Sequence, residues 1–249
     1  MDVKQGGNTH LWIVNRALDL LVQSNDTVVR AFAAKMNESA VRSRWEDGIW
    51  EGDSIHVDYP ENMGTHFYNP AGKDWNGNVT DITTYNISKG SILPVLLGIT
   101  GGPAGGTVVS DAVGKLMFKN KKSCATAREC ATAQIAKVKG GLNATNAYEL
   151  GLALHYMTDL TQPMHTSSYD GFKIPNNLHP QYEYYAAFVQ GNSPIGSMKW
   201  DPRWISQSAD SILNAAALKS NGFAPRLSKA LHMNGDGGIV TIQRPLHRL

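Results

Sequence analysis

From Thr9 to about Ser24, apolar residues fall at Leu11, Ile13, Val14, Ala17, Leu18 and Leu21. This spacing draws one stripe along one side of an α-helix, with Asn8 or Thr9 placed to cap it. A second helical stretch is expected over Thr27–Glu46. From Gly48 to about Ile87 the chain turns rich in Gly, Asn, Asp and Pro, and a long loop region is predicted there. Asn146–Leu160 is apolar on nearly every face except at His155 and Asp159, as expected of a central buried helix. Pro163 ends or kinks that helix and swings His165 into place. Another helix is expected over His179–Val189, and two more helical patterns within Trp204–His232, joined by Ser220–Pro225. No alternating strand run of any length is present. The pattern therefore predicts an all-α fold, a single-domain multi-helix bundle with long loops, in a chain of 249 residues.

Composition narrows the reading by exclusion. A formal charge of +2 and a pI of about 8.4 lack the basic excess of a general nucleic-acid binder. The stretch Gly90–Ser110 is uncharged and long enough for a membrane span, but six glycines and two prolines argue against a stable helix. Lys115, Lys119, Lys121 and Lys122 follow it. A packed loop is the simpler reading; the sharper one is an apolar, basic-flanked lip that rests on a lipid surface. The N-terminal text MDVKQGGNTH has no apolar stretch of the signal-peptide kind. Cys124 and Cys130 lie six apart. In one continuous helix six residues rise about 9 Å, beyond disulfide reach, so a disulfide requires a turn or break between them.

The densest chemistry lies between His155 and Glu183, where HYMTDLTQPMH is followed by HPQYE. His155 and Asp159 are four apart, as are His179 and Glu183, and His165 falls between the pairs. On a helix, positions i and i+4 share a face, so each pair aims an imidazole and a carboxylate at one point. These are ligand types that zinc accepts, and helix-borne pairs of this kind build metal sites in bundle cores. A single such pair is usually an ordinary surface contact. Five candidate ligands within 29 residues exceed what one tetrahedral zinc takes, which points to a multinuclear site and to hydrolysis of a phosphate ester.

The same residues resemble the ligand signature of the bacterial zinc-dependent phospholipase C family, the phosphatidylcholine-hydrolysing type. Two further blocks agree with it: THLWIVNRALDLL at Thr9–Leu21, and GIWEGD at Gly48–Asp53 followed by THFYNP at Thr65–Pro70. The resemblance implies a trinuclear zinc site. Asp53, His66, His155 and Asp159 would hold one Zn2+, and His165, His179 and Glu183 a second. His10 and Asp159 would hold a third together with the main-chain amine and carbonyl of residue 1, here Met1. It further implies an insertion at about residues 88–140, and Asp53 as the catalytic group that orients or deprotonates the attacking water. His56, His232 and His247 match nothing in the pattern, and Gly235–Leu249 is unlike the family's closing helix.

The implied reaction is hydrolysis of the glycerol-side phosphodiester bond of phospholipids, phosphatidylcholine by default, to diacylglycerol and a phosphorylated headgroup. The implied setting is a secreted mature chain whose signal peptide is absent from this sequence, acting as a monomer on a phospholipid membrane surface, with no nucleic-acid partner. The chain departs from the family where an aromatic pair would hold the choline cation: the two positions are Ser54 and Met63. Trp50, Tyr59 and Tyr68 are the aromatics available to compensate. Two other readings stand beside this one. The first is a single-strand-specific zinc nuclease or 3′-nucleotidase, which would need aromatic platforms for bases. The second is a non-catalytic lipid-surface binding module in which zinc only staples the fold.

Overall fold

The computed structural model describes residues 8–53, 63–72, 124, 126–167, 178–192 and 201–230. Eight α-helices are found among them: α1 Thr9–Leu21, α2 Thr27–Asn37, α3 Ser39–Glu51, α4 Ala127–Ile135, α5 Ala147–Asp159, α6 Leu178–Val189, α7 Ala209–Asn221 and α8 Ala224–Ala230. There is no strand among the described residues, so the all-α expectation holds. The run Gly90–Ser110, the C-terminal Gly235–Leu249, and Met1, Ser54, His56, Tyr59, His232 and His247 lie outside the described residues. No helix among the described residues is long and apolar enough to cross a membrane.

Helix α5 is the axis of the fold. Nine of its residues are buried, from Ala147 through Asp159, and it packs most extensively against α3 and α4. Its N-terminal half joins a core of Leu11, Val14, Leu18, Met36, Val41, Trp45 and Ile49 from α1–α3. Its C-terminal end, at Tyr156 and Leu160, joins a second core with Ala127, Ala131, Leu213 and Ala217 from α4 and α7. Two glycines permit the close crossing of α3 and α5. A Cβ on Gly48 would stand 2.9 Å from Gly151 Cα and closer still to the Tyr148 carbonyl oxygen, and a Cβ on Gly151 would collide with the Trp45 backbone.

Local signals set the helix ends. Asn8 caps α1 by accepting the Leu11 N–H at 3.1 Å, and Asp26 caps α2 through the Val28 and Val29 N–H groups. The expected single helix over Thr27–Glu46 is two helices. Glu38 is extended (ψ 129°) between Asn37 and Ser39, and the turn lets Trp45 Nε1 donate to the Met36 carbonyl at 2.9 Å. The loop expected from Gly48 begins later, because α3 continues to Glu51 and carries Trp50.

Cys124 and Cys130 form a disulfide. Cys130 lies within α4 while Cys124 precedes the Thr126 N-cap, which supplies the break the bond requires. The Tyr68 hydroxyl donates to Asn214 Oδ1 at 2.8 Å and accepts from Arg128, whose guanidinium also grips Asp210. Tyr68 therefore ties the 63–72 segment to α4 and α7.

Candidate metal centre

Several elements converge at the C-terminal end of α5. Helix α5 itself brings His155 and Asp159, buried to 0% and 1% exposure. Helix α1 brings His10, and the end of α3 brings Asp53 just after Gly52. A 3₁₀ turn, Met63–His66, brings His66. The ring nitrogens and carboxylate oxygens meet closely. His66 Nδ1 lies 2.7 Å from Asp159 Oδ2, and His155 Nε2 lies 3.2 Å from His66 Nδ1 and 3.4 Å from Asp53 Oδ1. His10 Nε2 is 4.0 Å from Asp53 Oδ2 and 3.9 Å from Asp159 Oδ1.

A second cluster forms where the chain leaves α5. After Asp159 the backbone closes tight turns, with the Thr161 and Gln162 N–H groups donating to Thr158 and Asp159 carbonyls. This presents His165 toward α6. His165 Nε2 lies 3.1 Å from Glu183 Oε1, His179 Nε2 lies 2.8 Å from the same oxygen, and the two Nε2 atoms are 3.0 Å apart. Asp159 Oδ1 stands 3.9 Å from His165 Nδ1, so it links the two clusters.

Three groups of donors thus form, the ligand atoms of each lying within 4.8 Å of one another: His10, Asp53 and His155; His66, His155 and Asp159; and His165, His179 and Glu183. Every residue expected of the site from His10 onward is in one of them. Met1, the remaining expected ligand, lies outside the described residues. The grouping differs from the expected sets in two respects: Asp53 falls with His10 and His155 and not with His66 and Asp159, and Asp159 falls with His66 and His155 and not with His10. His10 meets Asp53 and His155, so Asp53 and His155 face the α1 side too.

Outer hydrogen bonds prepare these donors. His155 Nδ1 donates to the Ile49 carbonyl at 3.0 Å, and His165 Nδ1 donates to the His66 carbonyl at 2.9 Å. Each bond leaves the pyridine-type Nε2 facing the cluster, the arrangement in which imidazole binds a metal. His10 Nδ1 meets Thr158 Oγ1, and the Thr158 hydroxyl is itself turned to the Leu154 and His155 carbonyls. Converging imidazoles and carboxylates without a lysine or arginine among them fit a divalent cation.

Sequence reasoning missed three supporting residues. Thr158 is readable only as a helix threonine that back-bonds to its own turn. Gln162 places its amide nitrogen 3.1 Å from His179 Nε2 and 3.3 Å from Glu183 Oε1, while its carbonyl oxygen accepts the Met164 and His165 N–H groups. Its signal was a lone glutamine between Asp159 and Pro163. Gly52 admits the His155 ring, since a Cβ there would meet that ring directly.

The electrostatics divide the site. Burial, and then His155, hold His10 down to about 4, so it is neutral at pH 7. Burial opposes charge on His165, but Asp159 and Glu183 outweigh it and lift its pKa to about 9. Desolvation likewise opposes ionisation of Asp53, Asp159 and Glu183. The surrounding imidazoles win in each case and hold these carboxyls below their ordinary range. Asp53 differs from the buried donors in being 62% exposed. It opens onto a cavity of about 580 Å³ that Trp50, Gln162, Tyr182 and Glu183 also line.

The chain is 27% identical over 218 residues to two phospholipases C of Bacillus cereus, covering 86% of this chain and 62% of each relative. It is 30% identical over 86 residues to a phospholipase C of Listeria monocytogenes, covering 34% of this chain and 30% of that protein. No protein-family model matches the chain. The chain spans about 62% of the length of the Bacillus relatives it matches. These likenesses support the resemblance to the bacterial phospholipases C.

Proposed function

We propose that this chain is a zinc-dependent phospholipase C that cleaves the glycerol-side phosphodiester bond of phospholipids, phosphatidylcholine by default, releasing diacylglycerol and a phosphorylated headgroup. One observation carries the proposal: three contiguous donor groups, joined through Asp159 and His155, stand against a single cavity. Purely structural zinc sites are closed and four-coordinate, whereas this set is larger and faces solvent through Asp53 and Glu183.

Asp53, His66, His155 and Asp159 would hold one zinc ion, and His165, His179 and Glu183 a second. His10 and Asp159 would hold a third, with residue 1 completing it. When bound, the ions supply Lewis acidity toward a water and toward the non-bridging phosphate oxygens. The protein's own part is positional. Asp53, ionised and 62% exposed, accepts a hydrogen from the attacking water and aims it. Its low basicity suits orientation better than full proton abstraction. Gln162 fixes the His179–Glu183 pair through its amide. Trp50 and Tyr182 line the cavity and offer aromatic faces to a quaternary ammonium headgroup. The Cys124–Cys130 disulfide suits an oxidising compartment, which supports secretion.

The test is turnover of zinc-loaded protein on mixed phospholipid vesicles, with single-stranded DNA and a 3′-nucleotide assayed in parallel. Diacylglycerol release is expected, falling by about 10²-fold or more in Asp53→Asn. Nucleotide release without lipid turnover would instead place the chain with the zinc nucleases.

A further inference from the structure

Helix α6 has two working sides. His179 and Glu183, four apart, belong to the donor cluster. One step round the helix stand Tyr184 and Phe188, also four apart, with 79% and 77% of their surface in solvent. Single exposed rings are common on soluble proteins, but two on successive turns of one helix make a continuous apolar stripe. The stripe begins at the cavity, because Tyr184 lines it while remaining exposed and therefore stands at its rim.

Charge decides what such a stripe fits. Glu183 is the sole Asp, Glu, Lys or Arg in LHPQYEYYAAFV, and its carboxylate is engaged with His165 and His179. Among the described residues no lysine or arginine lines the cavity. A nucleic-acid strand stacked on these rings would need a cationic track for its phosphates. A zwitterionic lipid surface needs none, and it accepts Tyr and Phe rings at the headgroup level. We propose that Tyr184 and Phe188 dock the protein on a zwitterionic phospholipid surface and hold the cavity rim against it, so that a headgroup reaches the donor groups while its acyl chains stay in the bilayer. The purpose of this stripe rests on the phospholipase reading, but surface binding itself requires no turnover.

The experiment uses the full chain. Co-sedimentation with phosphatidylcholine vesicles is measured on chelator-treated protein for the wild type, Tyr184→Ser, Phe188→Ser and the double variant, beside binding of a single-stranded thymidine oligonucleotide. Each single substitution is expected to weaken vesicle binding about tenfold. Phe188→Trp should keep binding and, after subtraction of the wild type with its six tryptophans, show a blue-shifted emission that brominated lipid quenches. With zinc-loaded protein, Phe188→Ser should lose vesicle turnover in parallel with binding, yet cleave a monomeric short-chain phosphatidylcholine within about twofold of wild type. Unchanged vesicle binding in the double variant would overturn the proposal, as would emission of the Phe188→Trp variant that brominated lipid neither shifts nor quenches. Tyr184-dependent binding of the oligonucleotide with no vesicle binding would overturn it in favour of base stacking. Stripe-dependent vesicle binding by a wild type that cleaves neither lipid would support the docking surface and defeat the phospholipase reading.

Discussion

At the residue scale, the site depends on groups that hold ligands as much as on the ligands. Gln162 is the clearest case. Its amide nitrogen approaches both His179 and Glu183, and its oxygen accepts the N–H groups of Met164 and His165. One side chain thus fixes three donors relative to each other. Removing it in Gln162→Ala should weaken the metal held by His165, His179 and Glu183 by about 10–100-fold, the usual cost of losing an outer hydrogen bond to a ligand. Competition against a chelator with known affinity measures this. Loss confined to one of the bound equivalents is expected, and an unchanged metal affinity would show Gln162 to be only a turn former. At this scale the candidate ligands from His155 to Glu183 were legible from their spacing and types, whereas His10, Asp53 and His66 were picked out only through the resemblance of their sequence blocks. Thr158 and Gln162 were not, since a lone hydroxyl or amide acquires a role only when the fold brings a partner from a distant segment, as α1 brings His10 to Thr158.

At the element scale, the placement of His155 depends on how closely α3 approaches α5. The Ile49 carbonyl that fixes the His155 ring lies on α3, and it is within reach because Gly48 and Gly151 let the two backbones nearly touch. Gly151→Ala should therefore destabilise the fold by about 1–3 kcal/mol or more, as overpacking of a rigid crossing does, with a matching fall in the denaturation midpoint. Gly52→Ala is a different perturbation. Its methyl meets the His155 ring at the end of α3, so metal binding should fall more than stability; a fall in stability alone would show that the ring can move aside. The periodicity of α1, α5 and α6 was legible because each carries a stripe or pair at helical spacing that runs without interruption. The break at Glu38 was not, because no Gly or Pro marks it and only the extended backbone of one exposed residue divides the helices.

At the scale of the whole molecule, a cluster of histidines and acids at the junction of both cores links metal binding, protonation and stability. In the metal-free protein, His10 is lowered to about 4 and His165 raised to about 9, each from an ordinary value of 6.5. Below pH 6.5 the unfolded chain takes up a proton at His10 that the folded chain refuses, so stability falls as pH drops toward 4. The depressed Asp53, Asp159 and Glu183 extend that loss further into acid. Above pH 6.5 the folded chain keeps a proton on His165 that the unfolded chain has released. That contribution is complete below 6.5 and is lost as pH rises through 9. The metal-free protein should therefore have its highest melting temperature near pH 6.5 and decline on both sides. A metal ion on His165 replaces the proton, and ligand-bound protein is stabilised by mass action. Metal-loaded protein should accordingly melt higher throughout and lose the alkaline decline between pH 6.5 and 9, while the acid decline persists because protons then compete for every donor. Melting curves from about pH 4 to 9, with and without a chelator, measure both arms. An alkaline decline that survives metal loading would mean that His165 keeps its proton and is not a ligand.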